Sequence, residues 1–524
     1  MRFKVRKRKK ERKMAVKIIL LVVFFAVMIG VGLYSRKSTS SVDGFVLGGR
    51  SVGPWLTAFA YGTSYFSAVV FVGYAGQFGW KYGLASTWIG LGNAAIGSLL
   101  AWVILGRRTR VMSQHLQSKT MPDFFGTRYD SKALKITASA VAFIFLVPYT
   151  ASVYNGLSRL FGMAFDIPYE VCVIVMALLT AVYVILGGYM ATAINDFIQG
   201  IIMLVGIAAV IAAVLNGQGG FMEAVKKLAE LESDVAVTAG QAGAFTSFFG
   251  PDPVNLLGVV VLTSLGTWGL PQMIQKFYAI KDEKAINTGT VISTVFAVVV
   301  SGGCYFLGGF SRLFRDSKEI YDASGAVIYD SIIPTMLSKL PDILIGIVVV
   351  LVLSASMSTL SSLVMTSSST LTLDFLKDNI IKKMDEKKQV FTMQIFIVFF
   401  VVLSVVIALD PPTFIAQLMG ISWGALAGAF LAPFLYGLYW KGVTKSAVWA
   451  SFACGVGITV SNMFLKYIAS PINAGAFAMI AGLIVVPIVS LVTPKMKKEK
   501  VDEMFTCYEE EIVITKKHSL EAKK

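Results

Sequence analysis

The stretch LTSLGTWGLPQMIQKF, residues 262–277, interrupts a long apolar segment with two glycines and a proline. Gly266, Gly269 and Pro271 fall within six residues. Glycine raises the conformational cost of forming a helix, and proline removes one of its backbone hydrogen bonds. Because a membrane interior offers no water to the unpaired backbone groups, they must find other partners. The pattern predicts a helix that is broken inside a bilayer, where an ion or a solute can be that partner.

A second stretch of the same kind, AYGTSYFSAVVFVG, occupies residues 60–73. Two glycines and several hydroxyl residues interrupt another apolar segment here. If the first apolar segment is not counted, this break falls in the first span and the break at residues 262–277 falls in the sixth. An offset of five spans is expected for a protein built from two five-helix halves. Glycine and proline are common in membrane helices, so one break alone is not diagnostic. Paired breaks at corresponding positions indicate the binding site of a transporter.

The composition is that of a protein embedded in lipid. Of 524 residues, 56% are hydrophobic and 15% are charged, whereas soluble domains carry about 25% charged residues. Apolar runs of roughly 20 residues, long enough to cross a bilayer, recur along the chain. We therefore predict an all-α polytopic membrane protein. Continuous rather than alternating apolar runs argue against a β-barrel.

Basic residues divide the connections between spans into two sets. We predict about 13 spans, at roughly 17–34, 55–79, 84–105, 134–163, 169–188, 194–215, 252–279, 286–310, 341–374, 391–409, 413–440, 443–466 and 474–493. One set of connections holds 24 Lys and Arg and the other holds nine; the basic set is 35–54, 106–135, 276–285, 375–389, 441–445 and 494–500. Because cytoplasmic loops collect basic residues, the first set is predicted to be cytoplasmic. This places the protein in the plasma membrane with its N-terminus outside and its C-terminus in the cytoplasm. It also accounts for the net charge of +16 without a nucleic-acid partner.

The basic N-terminus conflicts with this orientation. Residues 1–13, MRFKVRKRKKERK, hold nine basic residues, and moving such a block outward is unfavourable. One explanation anchors the first helix with its N-terminus inside. The explanation that we prefer is that translation starts at Met14.

The stretch SASMSTLSSLVMTSSST, residues 354–370, carries eleven Ser and Thr into a membrane helix. Ala355, Ser358 and Thr359 stand at i, i+3 and i+4 and therefore share one helical face. Their hydroxyl and carbonyl oxygens would form a neutral site, which suits a monovalent cation better than a divalent one. Such hydroxyls also bond to their own helix, and small residues allow close helix packing. Taken alone, the stretch favours packing over an ion site.

Asp196 is the main carboxylate within the apolar segments, at the start of the span after GGYMATAIN. Ionisable groups at such depth are functional candidates, although an Asp near a helix start is also a favourable cap. Both interpretations stay open. The four cysteines show no paired or metal-ligand spacing, and no nucleophile with a base is evident. We therefore expect no disulfide, no catalytic residues and no organic cofactor.

Five stretches together resemble the sodium/solute symporter family over residues 17–490. They are VLGGRSVGPW, MPDFFGTRY, GGYMATAINDFIQG, GLPQMIQKF and SASMSTLSSLV, in this order and at these spacings. The pattern is most similar to that of the proline permease branch. The resemblance implies Na⁺-driven uptake by alternating access, on a LeuT-like fold of two inverted five-helix repeats with flanking helices. The expected divisions are a basic segment 1–16, one transporter domain 17–493 (extra helix 17–34, first repeat 55–215, second repeat 252–440, flanking helices 443–493) and a cytoplasmic tail 494–524.

The resemblance also implies a sodium site, and it uses the helical face already singled out. Carried over to this chain, the Na⁺ ligands are the carbonyls of Thr63, Phe66 and Ala355 and the hydroxyls of Ser358 and Thr359. Asp196 matches a family aspartate that is implicated in cation coupling on the inward side. The expected partners are therefore Na⁺, a small organic solute and the lipid bilayer, without an obligatory protein partner.

The substrate pocket is implied near the two breaks and the third core helix. Its candidate residues are Ser67, Val70, Tyr149, Thr263, Thr267, Trp268 and Gln417. The chain departs from the proline branch at Tyr65, where that branch carries an Asp, and at Thr263, where it carries a Trp. The polar residues that the sugar branch uses fall at Val70 and Gly90, and a buried sugar hydroxyl without a partner is costly.

The solute is therefore predicted to be proline or a similar amino acid. A small carboxylate such as a monocarboxylate or pantothenate is the alternative, and a sugar is disfavoured. A channel would need a continuous polar pore, and a sensor would need a soluble signalling domain. Neither feature is found in the sequence, and an enzyme is disfavoured by the lack of a catalytic set.

Overall fold

The computed structural model describes residues 2–36, 41–165, 167–377, 380–381 and 384–513. The predicted stretches 375–389 and 494–524 therefore lie partly outside the described residues. The helices, numbered along the chain, are α1 Arg2–Ser35, α2 Val42–Leu47, α3 Pro54–Tyr65, α4 Ala75–Tyr82, α5 Thr87–Gly92, α6 Arg107–His115, α7 Met121–Arg128, α8 Lys132–Phe165, α9 Tyr169–Gly217, α10 Phe221–Ala229, α11 Pro253–Gly266, α12 Pro271–Ala279, α13 Glu283–Ala297, α14 Gly303–Gly308, α15 Tyr329–Ser338, α16 Asp342–Thr370, α17 Glu386–Leu409, α18 Ile415–Tyr439, α19 Lys445–Leu465, α20 Pro471–Val492 and α21 Lys498–Val513. Wider π-type turns at Val69–Tyr74, Asn93–Leu100, Trp102–Gly106, Val298–Gly302 and Leu371–Leu376 extend several of them.

Eleven helical stretches in the described chain are long and apolar enough to cross a membrane. The two longest of them contain breaks. Gly188 leaves the helical conformation within the 49 residues of α9, with φ of 56° and ψ of −157°. Gly83 has φ of 60° within the 47-residue stretch Val69–His115. Since a straight helix of about 20 residues already spans a bilayer, each of these two stretches is long enough for two crossings. The count of about 13 spans stays a prediction.

The second predicted break lies where the sequence places it. Helix α11 ends at Gly266, a turn follows, and Pro271 opens α12. Proline suits this first helical position because its missing N–H would have no partner there. The first break lies later than the glycine pattern suggests, because α3 continues through Gly62 to Tyr65. Gly62 instead makes room for Phe296, whose ring would lie 2.4 Å from a Cβ added at Gly62.

Connections that the charge pattern assigns to one membrane side contact one another. Arg107 forms an ion pair with Glu283 at 2.7 Å, and Lys119 forms one with Asp43 at 3.0 Å. These pairs join the connection 106–135 to 276–285 and to 35–54. We call this part of the molecule the basic end. These contacts agree with the grouping of the three loops on one side of the membrane.

The chain after the last predicted span packs against the same end. Helix α21 buries Phe505 and Tyr508, which are 5% and 8% exposed. The guanidinium of Arg128 lies 5.0 Å from the Phe505 ring, and that of Arg108 lies 4.5 Å from the Tyr508 ring. Such cation–π contacts stabilise partly buried arginines. The described part of the predicted tail is thus a docked helix.

Candidate functional site

Helix α16 and the last turn of α3 bring four neutral oxygens together. The main-chain carbonyl of Thr63 accepts hydrogen bonds from Ser358 Oγ and Thr359 Oγ1, each at 3.1 Å. The carbonyl of Ala355 accepts from the same two hydroxyls, at 3.3 and 3.2 Å. All four residues are buried. The predicted helical face of α16 therefore points at the end of the first broken helix.

A small cavity adjoins these oxygens. Phe66 leaves the helical conformation of α3, with φ of −102° and ψ of 85°. Phe66, Ser67 and Ala355 line a cavity of about 10 Å³ together with apolar side chains. This is close to the roughly 10–15 Å³ that a single water molecule requires. Of the five predicted sodium-ligand residues, Phe66 and Ala355 line this cavity, and the hydroxyls of Ser358 and Thr359 converge on the carbonyls of Thr63 and Ala355.

Several other hydroxyls of α16 bond to their own helix. Ser356 donates to the Val352 carbonyl at 2.7 Å, and Ser361 donates to the Ser358 carbonyl at 2.8 Å. These are bonds within α16 itself, as Ser and Thr commonly form in membrane helices. Packing and a polar site therefore coexist on different faces of one helix, and Ser358 and Thr359 are the pair that reaches the carbonyl of Thr63.

Lys276 is a buried cation that the sequence interpretation placed wrongly in a cytoplasmic connection. It lies inside α12 and is 1% exposed. Its Nζ donates to Ser362 Oγ at 2.9 Å, and Ser362 Oγ lies 2.7 Å from Ser64 Oγ. The ring of Tyr189 lies 5.1 Å from the ammonium. Lys276 thus connects the second broken helix to α16 and, through Ser362, to the last turn of α3.

Asp196 lies in the middle of α9 and is fully buried. It is not a helix cap, because α9 is already helical from Tyr189 onward after the break at Gly188. Among the described residues, neither carboxylate oxygen of Asp196 has a hydrogen-bond partner. Lys276 is the charged group that acts on it, without a direct ion pair. The interpretation of Asp196 as a buried functional candidate therefore remains.

Predicted substrate residues near the second break use their polar atoms within the protein. Thr267 Oγ1 donates to the Gly97 carbonyl at 3.1 Å, and Trp268 Nε1 donates to the Ile96 carbonyl at 3.0 Å. Thr263 Oγ1 bonds to its own helix. These contacts anchor the break against the segment Asn93–Leu100. In this conformation, Thr267 and Trp268 serve to position the second broken helix.

Tyr149, in α8, lies between α18 and the residues that follow α3. Its hydroxyl lies beside the side chains of Ser67 and Trp423, yet it forms no hydrogen bond of standard geometry with a described residue. The indole N–H of Trp423 is also unpaired in the described structure. Trp423 packs so closely on Gly266 that a Cβ there would lie 2.5 Å from its ring. Two buried donors therefore lie close together beside Ser67, which follows the first break.

Sequence reasoning missed Trp423 and Lys276. No local pattern distinguishes Trp423 from any other apolar residue of α18, although an aromatic residue with a polar atom is a recognisable candidate when buried. Lys276 did carry a signal. It lies within an otherwise uncharged stretch of α12, where a charge inside a membrane span is a functional candidate by default.

A larger cavity opens beside α4, which follows the first break. Arg50 lies at the opposite end of this broken helix, before α3. The volume of the cavity is about 640 Å³, and we call it the vestibule. Polar and aromatic lining residues include Gln77, Lys81, Asp252, Tyr329, Gln417 and Asn473. The predicted substrate residue Gln417 therefore lies on the vestibule wall. Its side chain accepts a hydrogen bond from Thr413.

The basic end is closed. Val52 N donates to the Ala279 carbonyl at 3.2 Å, and Lys281 N donates to the Val52 carbonyl at 3.1 Å. These bonds tie the start of the first broken helix to the end of the second. Arg50 adds a hydrogen bond to the Ser118 carbonyl at 2.6 Å. The two broken helices are thus joined at one end and separated by a cavity at the other.

Known proteins of similar sequence are transporters. Residues 45–455 match the model of the sodium:solute symporter family. The sodium/proline symporters of Staphylococcus aureus strains JH9 and COL are each 29% identical over 506 residues, which cover 92% of this chain and 93% of theirs.

Solved structures share the fold. A Na⁺-coupled sialic acid symporter in a substrate-bound outward-open state is similar with a TM-score of 0.75 and 15% identity, covering 92% of this chain and 98% of that one. A nucleobase-cation-symport-1 family transporter in a closed conformation is similar with a TM-score of 0.52 and 12% identity, covering 89% and 98%. The predicted all-α, LeuT-like class of fold is thereby confirmed. Because the family match spans most of its length, the chain belongs to the sodium:solute symporter family.

Proposed function

We propose that this protein is a Na⁺-coupled importer of a small amino acid, with proline as the first candidate. Family membership makes it a multi-pass membrane transporter that couples Na⁺ to a solute, rather than an enzyme. The proposal adds the solute, the ion ligands and the direction. The observation that carries it is the convergence of the Ser358 and Thr359 hydroxyls on the Thr63 carbonyl, at the break of the first core helix.

In this proposal, the Na⁺ ligands are the carbonyls of Thr63, Phe66 and Ala355 and the hydroxyls of Ser358 and Thr359. Their oxygens are neutral, as a monovalent hard cation prefers. Each hydroxyl now donates to a carbonyl, and it can rotate its proton away to present a lone pair to the ion. Asp196 is the proposed cation-coupling group on the path beyond the site.

The solute is proposed to bind beside the first break. Tyr149 and Trp423 offer unpaired donors there, and a substrate carboxylate is an acceptor that would satisfy both. Ser67 and Val70 form the adjoining wall. Thr263, Thr267, Trp268 and Gln417 keep their predicted role as substrate residues, to be reached when the helices rearrange.

A small carboxylate such as a monocarboxylate or pantothenate is the second candidate. The observation that favours it is the pair of departures from the proline branch at Tyr65 and Thr263, both of which are buried near the proposed pocket. The Asp that the proline branch carries at this position lies beside the sodium site, so its absence removes a negative charge next to the proposed pocket. A solute with a carboxylate and no amino group has less need of that charge.

We further propose that the basic end faces the cytoplasm in the plasma membrane, following the positive-inside rule. The vestibule then opens outward while the basic end is closed, which corresponds to an outward-facing stage of alternating access. On this orientation the membrane potential drives Na⁺ inward, at about 2.3 kcal/mol per charge per 100 mV. The N-terminus is proposed to lie outside and α21 to lie in the cytoplasm.

The test is uptake into proteoliposomes under an inward Na⁺ gradient. Radiolabelled proline is compared with other amino acids, lactate, pantothenate and glucose, with K⁺ replacing Na⁺ as the control. Proline or another small amino acid should accumulate only with Na⁺. Accumulation of lactate or pantothenate without any amino acid would select the second candidate. Equal uptake in K⁺ would contradict the coupling.

A further inference from the structure

Two arginines at the basic end cap the last turn of α18. Arg108 donates to the Leu438 carbonyl at 3.1 Å. Arg128 donates to the carbonyls of Gly437 and Trp440, at 3.0 and 3.2 Å. The last carbonyls of a helix have no partner within it, so donors from outside stabilise its end. Because Arg108 belongs to α6 and Arg128 to α7, these bonds hold three elements together.

Helix α21 supplies further contacts to both arginines. The guanidinium of Arg108 lies between two aromatic rings, 4.1 Å from the ring centre of Tyr439 in α18 and 4.5 Å from that of Tyr508 in α21. The hydroxyl of Tyr508 also donates to the main-chain carbonyl of Arg108, at 3.2 Å. The Phe505 ring lies 5.0 Å from the guanidinium of Arg128. One face of α21 thus contacts both α6 and α7, the elements whose arginines hold α18.

Helices α6 and α7 are attached to different parts of the transporter. Helix α6 ends the stretch Val69–His115, which begins just after the first break, and its Arg110 donates to the Ile280 carbonyl, just after α12, at 2.6 Å. It is therefore attached to both broken helices. Helix α7 leads into α8, which packs on α16 and α18. Rocking of the broken helices against α8 and α18 would open the basic end and move α6 away from α7.

The docking of α21 uses contacts that water can replace. Arg128 is fully buried, and its Nη1 has no hydrogen-bond partner among the described residues. A buried donor without an acceptor is costly, and water would satisfy it once α21 leaves. The ion pair of Lys441 with Asp502, at 2.8 Å, joins side chains that are 46% and 42% exposed, and such surface pairs stabilise little. Release of α21 therefore costs less than its buried rings alone would suggest.

Helix α21 is also a weak helix by itself. It has 16 residues, and isolated helices of about 12–15 residues are marginal in water even for alanine-rich sequences. Its first turn holds Lys498 and Lys500 with one acidic residue, Glu499, and its last turn holds no basic residue. This distribution of charge gives little support from the helix dipole. Its helical form therefore depends on docking, as expected for an element that can be released.

We propose that α21 is a strap across the basic end. While it is docked, it holds α6 against α7 and α18 and keeps the basic end closed, and its release lets that end open. The proposal goes beyond the proposed function and depends on it only for the opening of the basic end during transport. Docking of α21 and closure of the basic end are then one coupled equilibrium, so that a change in either changes the other.

Cys507 is a native reporter of docking, because it lies on α21 and is 5% exposed. The rate at which its thiol reacts with a maleimide, followed by peptide mass spectrometry on the purified protein, measures release of α21. Phe505→Ala/Tyr508→Ala should raise this rate roughly tenfold, because two cation–π contacts are lost. Glu503→Ala, on the exposed face of α21, is the matched control and should react like the wild type. Equal rates in the double variant and the control overturn the proposed docking contacts.

Thr366 reports on the basic end itself. It lies on α16, is 4% exposed, and donates to Gln275 Oε1 of α12 at 2.8 Å, so separation of α12 from α16 would expose it. In a Cys507→Ser background, the thiol introduced by Thr366→Cys should react slowly with a membrane-impermeant maleimide. Addition of Phe505→Ala/Tyr508→Ala should speed this reaction roughly tenfold, and Glu503→Ala should not. Faster labelling of Cys507 without faster reaction at position 366 overturns the strap.

The last measurement leaves α21 unchanged and needs no solute. The reactions of Cys507 in the wild type and of the thiol at position 366 are each measured in Na⁺ and in K⁺. A salt that slows the reaction at position 366 should slow labelling of Cys507 by a similar factor, and a response at position 366 alone overturns the strap. The same rates in both salts at both thiols would contradict the proposed action of Na⁺, while the double variant and its control still decide on the strap.

Discussion

The hydroxyl of Tyr65 donates a hydrogen bond to the main-chain carbonyl of Thr263, 2.5 Å away. These are the two positions at which the chain departs from the proline branch, and they contact each other. The bond joins the last turn of α3 to the last turn of α11, so it links the two broken helices directly. Gly97 gives the tyrosine room, since a Cβ there would lie 2.5 Å from the Tyr65 hydroxyl.

The first prediction is that Tyr65→Phe destabilises the protein by about 1–3 kcal/mol, because a buried carbonyl near the end of α11 loses its donor. The loss should appear as a lower melting temperature in detergent. The same variant should change the KM for the transported solute, since the bond couples the two breaks.

Tyr129→Phe is the matched control for Tyr65→Phe. Tyr129 donates to the Pro433 carbonyl at 2.5 Å, so it too loses one buried tyrosine–carbonyl bond. This bond joins the residue after α7 to α18 and involves neither broken helix. A comparable loss of stability with an unchanged KM is expected. Identical transport kinetics in the two variants would contradict a coupling role for the bond between Tyr65 and Thr263.

The second prediction concerns the proposed sodium ligands. Replacement of both hydroxyls in Ser358→Ala/Thr359→Ala should raise the Na⁺ concentration for half-maximal uptake by at least roughly tenfold, because two of five ligands are lost. Ser356→Ala is the control, since Ser356 bonds to the Val352 carbonyl within α16. Na⁺ dependence of solute uptake is the measurement. The same half-maximal concentration in the double variant and the control would remove the proposed site.

The sequence predicted the parts of this site that depend on local spacing. The i, i+3, i+4 pattern of Ala355, Ser358 and Thr359 already placed them on one face, and Pro271 fixed the second break. The first break lies at Phe66, within the predicted stretch 60–73, although no residue type at Phe66 indicates where in that stretch the helix ends. In this chain, Gly62 provides space for a neighbouring ring instead.

Contacts between distant segments were not predictable in the same way. The interaction of Lys276 with Ser362 depends on two helices that meet in space across 86 residues of sequence. Charge counting treated Lys276 as part of a loop, because it stands at the end of an apolar stretch. The structure shows that α12 remains buried throughout, so the same residue becomes an internal cation.

The third prediction is that Asp196 and Lys276 stabilise each other as buried opposite charges. Either Asp196→Asn or Lys276→Met alone should lower the unfolding free energy, because the remaining buried group loses an opposite charge. The loss should be smaller than the roughly 3–5 kcal/mol of a broken buried ion pair, since the two groups are not in direct contact. The double variant should recover a large part of this loss. Thermal unfolding of the two single variants and the double variant measures the coupling in a double-mutant cycle.

Transport separates a structural role of this pair from a role in coupling. If Asp196 acts on the cation, the double variant should regain stability without regaining Na⁺-driven uptake. A double variant that recovers both would show that the pair is only structural. Additive losses of stability in the double variant would contradict the electrostatic coupling itself.

The fourth prediction is a pH dependence of stability from Asp330, in α15, outside the membrane-spanning segments. Burial raises the pKa of this carboxyl to about 6, against the weaker opposing effects of Arg159, at 4.0 Å, and the Ile415 N–H, at 3.3 Å. The folded state therefore holds this proton more tightly than the unfolded state, whose pKa is about 3.9. Stability from this group is complete below pH 4 and is lost as the pH rises through 6, by at most about 3 kcal/mol.

Asp330→Asn removes the titrating proton while keeping an oxygen for the N–H of Ile415, which opens α18. The difference in melting temperature, wild type minus Asp330→Asn, should therefore decrease as the pH is raised from 4.5 to 7. Asp316→Asn, on an exposed segment before α15, should follow the wild-type profile. Glu319 lines the same cavity as Arg159 and Asp330. Glu319→Gln is therefore measured as well, and it should keep the pH dependence of the wild type if that dependence comes from Asp330. A difference between wild type and Asp330→Asn that is constant with pH would contradict the raised pKa.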